Sequence, residues 1–131
     1  MKNVLITGAA GFLGHQLFKR LKLFKNVNVF GIDNLSIKPV INTPKNLIKM
    51  DVQKVNSKLL LTKKIDTIFH FAAKKNVKTS FYNLSESTEN YDMTLKLFNA
   101  CKNTSVKKIY VASTCEIFGY QKKKLSETDN Y

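Results

Sequence analysis

The stretch that most constrains this chain is its opening, Val4-Leu5-Ile6-Thr7-Gly8-Ala9-Ala10-Gly11-Phe12-Leu13-Gly14. A short apolar run enters a turn with glycines at 8, 11 and 14, after which Leu13, Leu17, Leu21 and Phe24 recur at helical spacing. A strand that stops at glycines and restarts as a helix points the new helix's unpaired N–H groups at one spot beyond the strand. Those donors and the helix dipole favour negative charge there, so the spot suits a phosphate. Each glycine has a job available. Gly8 can make the tight turn, Gly11 can admit a pyrophosphate close to the backbone, and Gly14 can let helix and strand touch.

The spacing is Gly-x-x-Gly-x-x-Gly, one residue longer than the Gly-x-Gly-x-x-Gly dinucleotide fingerprint, and glycines alone also open helices that bind nothing. The next strand tips the balance. Val27-Asn28-Val29-Phe30-Gly31-Ile32 is rich in β-branched and aromatic residues and ends in Asp33. A carboxylate at the tip of the second strand, about 20 residues past the glycine turn, can accept both ribose hydroxyls of an adenosine. Asp33-Asn34-Leu35-Ser36 is also ordinary turn chemistry, and that plainer reading stands beside the first.

With 131 residues the chain makes at most one domain. No apolar run approaches the roughly 20 residues a membrane helix needs. Met1-Lys2-Asn3 leads directly into a strand and leaves no room for a signal peptide, so a cytoplasmic protein is expected. Cys101 and Cys115 have no Cys or His partner at metal spacing, and His15 and His70 stand alone, so no metal site is expected. Cys101 reads as a small core residue, and reduced thiols fit the cytosol. The net charge of +13 raises the question of a nucleic-acid partner. However, the lysines are scattered from Lys2 to Lys124, Arg20 is the one arginine, and no basic-aromatic interleaving occurs. A solvated face that also attracts an anionic dinucleotide or nucleotide sugar accounts for the charge better.

Strands and helices alternate along the chain, which argues for a parallel sheet covered on both faces. Asn34 to Asn46, with Pro39 and Pro44, is a polar connection. Asn46 to Met50 forms a short third strand, closed by Asp51-Val52; Val52, Val55 and Leu59 then mark a helical face. Ile65 to Phe71 is an apolar fourth strand running out into Ala72-Ala73, small residues that leave space at the edge where ligands of such sheets bind. A long helix starts near Asn83, where Asn83-x-x-Glu86 imitates a capping box, and spans roughly Asn83 to Lys102. Its apolar positions are Leu84, Tyr91, Leu95, Phe98 and Cys101. Lys108 to Ala112 is the fifth strand, followed by Ser113 to Gly119; Tyr120 to Tyr131 carries no clear periodicity.

From Val4 to about Glu127 the sequence resembles the extended short-chain dehydrogenase/reductase family, the NAD-dependent epimerase/dehydratase group, with UDP-glucose 4-epimerases similar in pattern. The resemblance rests first on Thr7-Gly-Ala-Ala-Gly11-Phe-Leu-Gly14. It implies that Gly8, Gly11, Phe12, Leu13 and Gly14 line the cofactor. Asp33 and Asn34 resemble the family's ribose-binding strand end and imply NAD rather than NADP, since an acid repels a 2′-phosphate. Asp51-Val52 matches the adenine contact. His70-Phe71-Ala72-Ala73 resembles the H-x-A-A segment, which implies that Phe71, Ala72 and Ala73 lie against pyrophosphate and ribose. Lys75 fits a lysine near the pyrophosphate, and Asn90 fits the asparagine of the N-V-x-G-T pattern, of which only Asn90 and Thr94 agree. Ala112 to Gly119 looks like the S-S-x-x-V-Y-G segment. That places Thr114 at the catalytic Ser/Thr position, bonding a sugar oxygen, and turns Ser113 toward the sheet or the nicotinamide. Small polar residues at a strand end also often serve only backbone groups. Lys74, Lys78 and Cys115 read as a solvated face and a loop.

One departure matters more than the matches. The family's chemistry needs a Tyr-x-x-x-Lys pair whose lysine lets the tyrosine act as base. Tyr120 and Lys124 have the letters but follow Gly119 at once, whereas the family's pair comes some twenty residues later. Leu125-Ser126-Glu127 resembles the approach to the true pair. The resemblance thus implies a Rossmann-type α/β unit, with five parallel strands in order 3-2-1-4-5 and the cofactor over strands 1 and 4. It further implies an N-terminal part of a nucleotide-sugar epimerase or dehydratase, inactive alone, whose substrate-binding half is absent. The full-length parent is expected to form a homodimer through the long helix, leaving the face of Leu84, Leu95 and Phe98 partly bare here and the fifth strand an open edge. A non-catalytic NAD-binding or redox-sensing module of the same fold, and a basic nucleic-acid-binding protein, are the alternatives.

Overall fold

The computed structural model describes the chain except for residues 38, 40–42, 45, 75–83, 121, 123, 130 and 131, with the main chain alone of 84–87 and 115–116. Five strands form one sheet: β1 (Lys2–Thr7), β2 (Val27–Asp33), β3 (Leu47–Lys49), β4 (Thr67–His70) and β5 (Lys108–Val111). Their order is β3-β2-β1-β4-β5, and every pairing is parallel, as the alternation of elements requires. The helices are α1 (Phe12–Leu21), α2 (Ser57–Thr62) and α3 (Leu84–Cys101), with 3-10 turns at Val52–Lys54 and Cys115–Phe118. Among the described residues, no helix is long and apolar enough to cross a membrane.

Alternation along β1 divides the core. Val4 and Ile6 face α1 and pack with Val29, Ala9 and Phe18, whereas Leu5 faces α2 and α3 and packs with Ile32, Ile68, Leu60 and Leu97. Leu5, Ile6, Leu60, Ile68 and Leu97 are wholly buried, each worth about 1.5–3 kcal/mol of transfer free energy. Cys101 is half-buried and packs against the second of these clusters, the small core residue expected.

Three expectations need correction. In α1, Leu13 is 59% exposed, and the buried large residues are His15 and Phe18, the latter packed with Leu17 and Leu21. The helix ends at Leu21, where turn bonds from Lys22, Leu23 and Phe24 close it, so Phe24 lies past its end and is exposed. Val52, Val55 and Leu59 all turn inward but do not share a helix. Asp51 accepts from Gln53 N at 2.9 Å and Asn56 accepts from Leu59 N at 2.9 Å, so two side-chain caps start two separate turns with Val55 extended between them. Among the described side chains of α3 the buried ones are Met93 and Leu97, while Tyr91, Leu95 and Phe98 form a stripe 68%, 43% and 42% exposed. Leu95 and Phe98 are thus on a partly bare face, and among the described residues β5 pairs with β4 alone. Leu84's side chain, Asn83 and Glu86's part in a capping box lie outside the described residues.

Candidate functional site

Register brings the strand ends level. Thr7 sits opposite Ile32 on β2 and His70 on β4, so Gly8, Asp33 and Phe71 leave the sheet at one edge. The order reverses between β1 and β4, which is where a parallel sheet opens a crevice. A cleft of about 560 Å3 lies there.

Gly8 turns the chain at φ +68°, and a Cβ on it would lie 2.7 Å from Ala72 N. The turn is closed by Gly11 N donating to Gly8 O at 3.1 Å. No side chain caps α1, and the Phe12 and Leu13 N–H groups donate to no carbonyl or side chain among the described residues. The start of α1 therefore presents unpaired donors beside the cleft.

Asp33 stands against this turn. Its Oδ2 accepts from Ala10 N at 3.0 Å and its Oδ1 from Leu35 N at 2.8 Å. Each carboxylate oxygen retains capacity for a further donor, so the group is fixed in place without being spent. Next to it, Asn34 donates to Asp51 Oδ2 at 3.1 Å. The Gln53 backbone N–H, the Asn34 amide and the nearby Lys54 and Lys74 charges hold the Asp51 carboxyl below the usual carboxylate range, against a raising effect of burial. Burial pushes the His70 imidazole down and the Cys101 thiol up.

Of the residues singled out from the sequence, Gly8, Gly11, Phe12, Asp33, Asn34, Asp51, Val52, Phe71, Ala72 and Ala73 line the cleft. Leu13 and Gly14 do not: Gly14 is buried against Gly8 and Ala9, so the helix touches the turn after β1 where contact with the strand was expected. Asn90 is also absent from the lining. Its Oδ1 accepts from Lys74 N at 2.8 Å and its Nδ2 donates to Lys74 O at 2.9 Å, so both ends of its amide serve the main chain beside the cleft. Ser113 and Thr114 follow β5 at the same edge of the sheet, exposed and outside the lining. Lys75 and Lys78 lie outside the described residues.

Lys74, Met93 and Gly31 are among the contributors that sequence reasoning passed over. Lys74, read as a solvated face, lines the cleft and forms an ion pair with Glu89 on α3. Met93 lines it from α3, one helical turn beyond Asn90. Gly31, inside β2, lets Ala9 and Phe18 close over the sheet, since a Cβ there would lie 2.8 Å from Ala9 Cβ. A glycine within a strand was the available signal.

Residues 4–131 match the NAD dependent epimerase/dehydratase family. The chain is 35% identical to a trifunctional UDP-glucose 4,6-dehydratase/UDP-4-keto-6-deoxy-D-glucose 3,5-epimerase/UDP-4-keto-L-rhamnose-reductase of Arabidopsis thaliana, over 90% of this chain and 20% of that protein. The UDP-glucuronic acid 4-epimerase of Bacillus cereus, solved with UDP-glucuronic acid and NAD, superimposes with a TM-score of 0.80 at 30% identity, over 98% of this chain and 45% of that one. The UDP-N-acetylglucosamine 4-epimerase of Methanobrevibacter ruminantium, solved with UDP-N-acetylmuramic acid, gives 0.79 at 34% identity, over 99% and 44%. The chain spans a fifth of the first relative and under half of the other two.

Proposed function

Because the chain belongs to the NAD dependent epimerase/dehydratase family, we propose that it carries the NAD-binding part of a nucleotide-sugar epimerase or dehydratase. The observation that carries this reading is the meeting of two features at one cleft. The uncapped start of α1 offers donors to a diphosphate, and the fixed Asp33 carboxylate offers acceptors to ribose hydroxyls. The same carboxylate would repel a 2′-phosphate, which favours NAD over NADP. The residues present fit the cofactor: Gly8 and Gly11 keep the turn free of side chains, and Ala72 and Ala73 keep the opposite wall low.

In this reading Gly8, Gly11, Phe12, Leu13 and Gly14 form the diphosphate turn, and Asp33 and Asn34 hold the adenosine ribose. Asp51 and Val52 border the adenine, and Phe71, Ala72 and Ala73 flank the pyrophosphate. Lys75 adds positive charge by resemblance, Ser113 faces the nicotinamide side, and Asn90 acts through its grip on Lys74. When bound, NAD supplies the nicotinamide that takes up and returns a hydride. Thr114 would bond a sugar oxygen and help pass its proton. The substrate class, a nucleotide sugar, follows the relatives' own substrates, and the exposed stripe on α3 suits a homodimer of the full-length parent. A cytoplasmic location fits the free, half-buried Cys101.

Calorimetric titration of the chain with NAD tests the reading. Saturable binding that Asp33→Ala weakens supports it. Folded protein that binds no NAD, or a variant with unchanged affinity, overturns it.

A further inference from the structure

At the end of β4 the buried His70 ring stands between two threonines. Its Nδ1 lies 2.6 Å from Thr7 Oγ1 on β1, and its Nε2 lies 3.2 Å from Thr94 Oγ1 on α3. Both His70 and Thr7 are shut off from solvent, at 3% and 0% exposure. The other proton positions follow once the Thr94 hydroxyl is assigned to the Asn90 carbonyl. Thr94 has one hydroxyl proton, and it goes to the Asn90 carbonyl at 2.9 Å. The Thr94 oxygen can then only accept from His70, so Nε2 carries the hydrogen. A neutral imidazole has one N–H, which leaves Nδ1 as an acceptor for the Thr7 hydroxyl proton. Thr7 Oγ1 in turn accepts from Ala72 N at 3.3 Å. Every donor points the same way: Ala72 N–H to Thr7, Thr7 to His70, His70 to Thr94, Thr94 to Asn90.

Both ends of this chain act on one short segment. Thr7 holds it at Ala72, and the Asn90 side chain brackets it at Lys74. Ala72, Ala73 and Lys74 form a wall of the cleft, and that wall lies directly against the turn at Gly8. Any buried imidazole needs partners for its two nitrogens; here those partners also reach both ends of one wall of the cleft. A wall set from both ends gives the buried ring a task, because aligned hydrogen bonds in a dry interior hold geometry tightly.

We propose that His70, held as the neutral Nε2–H tautomer between Thr7 and Thr94, is a positioning residue that sets the Ala72–Lys74 wall of the cleft for the dinucleotide. The proposal rests on the reading of the cleft as the NAD site. Heteronuclear NMR of the imidazole nitrogens, with NAD titrations of the same samples, tests it. The unaltered chain is expected to show the Nε2–H tautomer. Thr94→Val keeps the side chain's shape but removes the acceptor, so the ring is expected to shift toward Nδ1–H and NAD affinity to fall about tenfold. Thr94→Ser restores both. Asn90→Ala, which cuts the other hold on the wall, lowers NAD affinity severalfold.

An Nδ1–H tautomer in the unaltered chain overturns the proposal whatever the variants do. So does a Thr94→Val protein that switches tautomer yet binds NAD within twofold of the original. Absence of NAD binding to the unaltered, folded chain overturns the proposed function and this proposal together. Binding that is indifferent to Thr94 and Asn90 overturns this proposal alone.

Discussion

Gly14 on α1 faces the Gly8 carbonyl so closely that a Cβ at position 14 would lie 2.1 Å from the Gly8 oxygen and 2.9 Å from Ala9 Cα. In an ordinary helix interior, replacing glycine by alanine gains up to about 1 kcal/mol. Here the sign reverses, because the obstructing atoms are main chain and cannot rotate aside. Gly14→Ala is expected to cost about 1–3 kcal/mol in urea unfolding, as an overpacked contact does. Gly119 serves as the comparison: it has φ +64° but nothing within 4 Å of its Cβ position. Gly119→Ala should cost only the positive-φ strain, about 1 kcal/mol. Equal losses at both sites would mean that α1 does not pack on the glycine turn as described.

Asp33 predicts cofactor choice as well as affinity. Its carboxylate both fixes the turn, through Ala10 and Leu35, and offers remaining acceptor capacity to a ligand. A hydrogen bond to a charged group contributes about 1.5–3 kcal/mol, so Asp33→Ala should weaken NAD binding roughly 10- to 100-fold. Loss of the negative charge should at the same time narrow the preference for NAD over NADP. Parallel calorimetric titrations with the two dinucleotides measure both effects. An unchanged NAD:NADP ratio would remove Asp33 from the ribose site.

What was legible in the sequence was local. The strand–glycine–helix passage, the acid closing β2 and the small residues after β4 are each contained within a few positions, and they mark the turn, the acid and one wall of the cleft; the strand order and the place of Asp51-Val52 were implied by the family resemblance. Contacts made across the fold left no such trace. Thr7 meets His70 from 63 positions away, and Asn90 reaches Lys74 from 16. Periodicity also misjudged where burial falls. Leu13 and Leu95 match a helical stripe as well as Phe18 and Leu97 do, and only the packing against the sheet decides which face turns inward. The separate turns at Asp51 and Asn56 were encoded by their capping side chains, a signal that the spacing of Val52, Val55 and Leu59 masked.

Acid should destabilise the chain in two stages. Burial lowers the His70 pKa in the folded state below its ordinary 6.5, so the unfolded state takes up the proton first. The stability contribution is present above about pH 6.5 and is lost as pH falls from there through the lower folded value. For a single group the slope cannot exceed about 1.4 kcal/mol per pH unit. Asp51 acts with the same sign in a lower window, because its folded pKa also lies below the ordinary 3.8. Urea unfolding from pH 8 to pH 3 should therefore show a decline beginning near 6.5 and a further loss near and below 3.8. Stability that stays flat from pH 7 to pH 5 would be incompatible with a neutral, buried His70.

Removing a hydride from a sugar carbinol also requires a base for the hydroxyl proton, and a tyrosine beside a lysine is how this family's chemistry obtains one. Within the sequence the letters Tyr-x-x-x-Lys occur only at Tyr120 and Lys124. Tyr120 is 90% exposed and does not line the cleft, and no salt bridge or hydrogen bond to Lys124 is present among the described residues. A threonine hydroxyl such as that of Thr114 does not by itself supply a base near neutral pH. The 131-residue chain is therefore expected to bind NAD without converting UDP-glucose, followed by proton NMR of the anomeric signals. Tyr120→Phe and Lys124→Ala should leave NAD affinity within twofold of the original. Turnover abolished by Tyr120→Phe would instead assign the base to Tyr120 and show that the segment after Gly119 folds over the cleft when substrate is present.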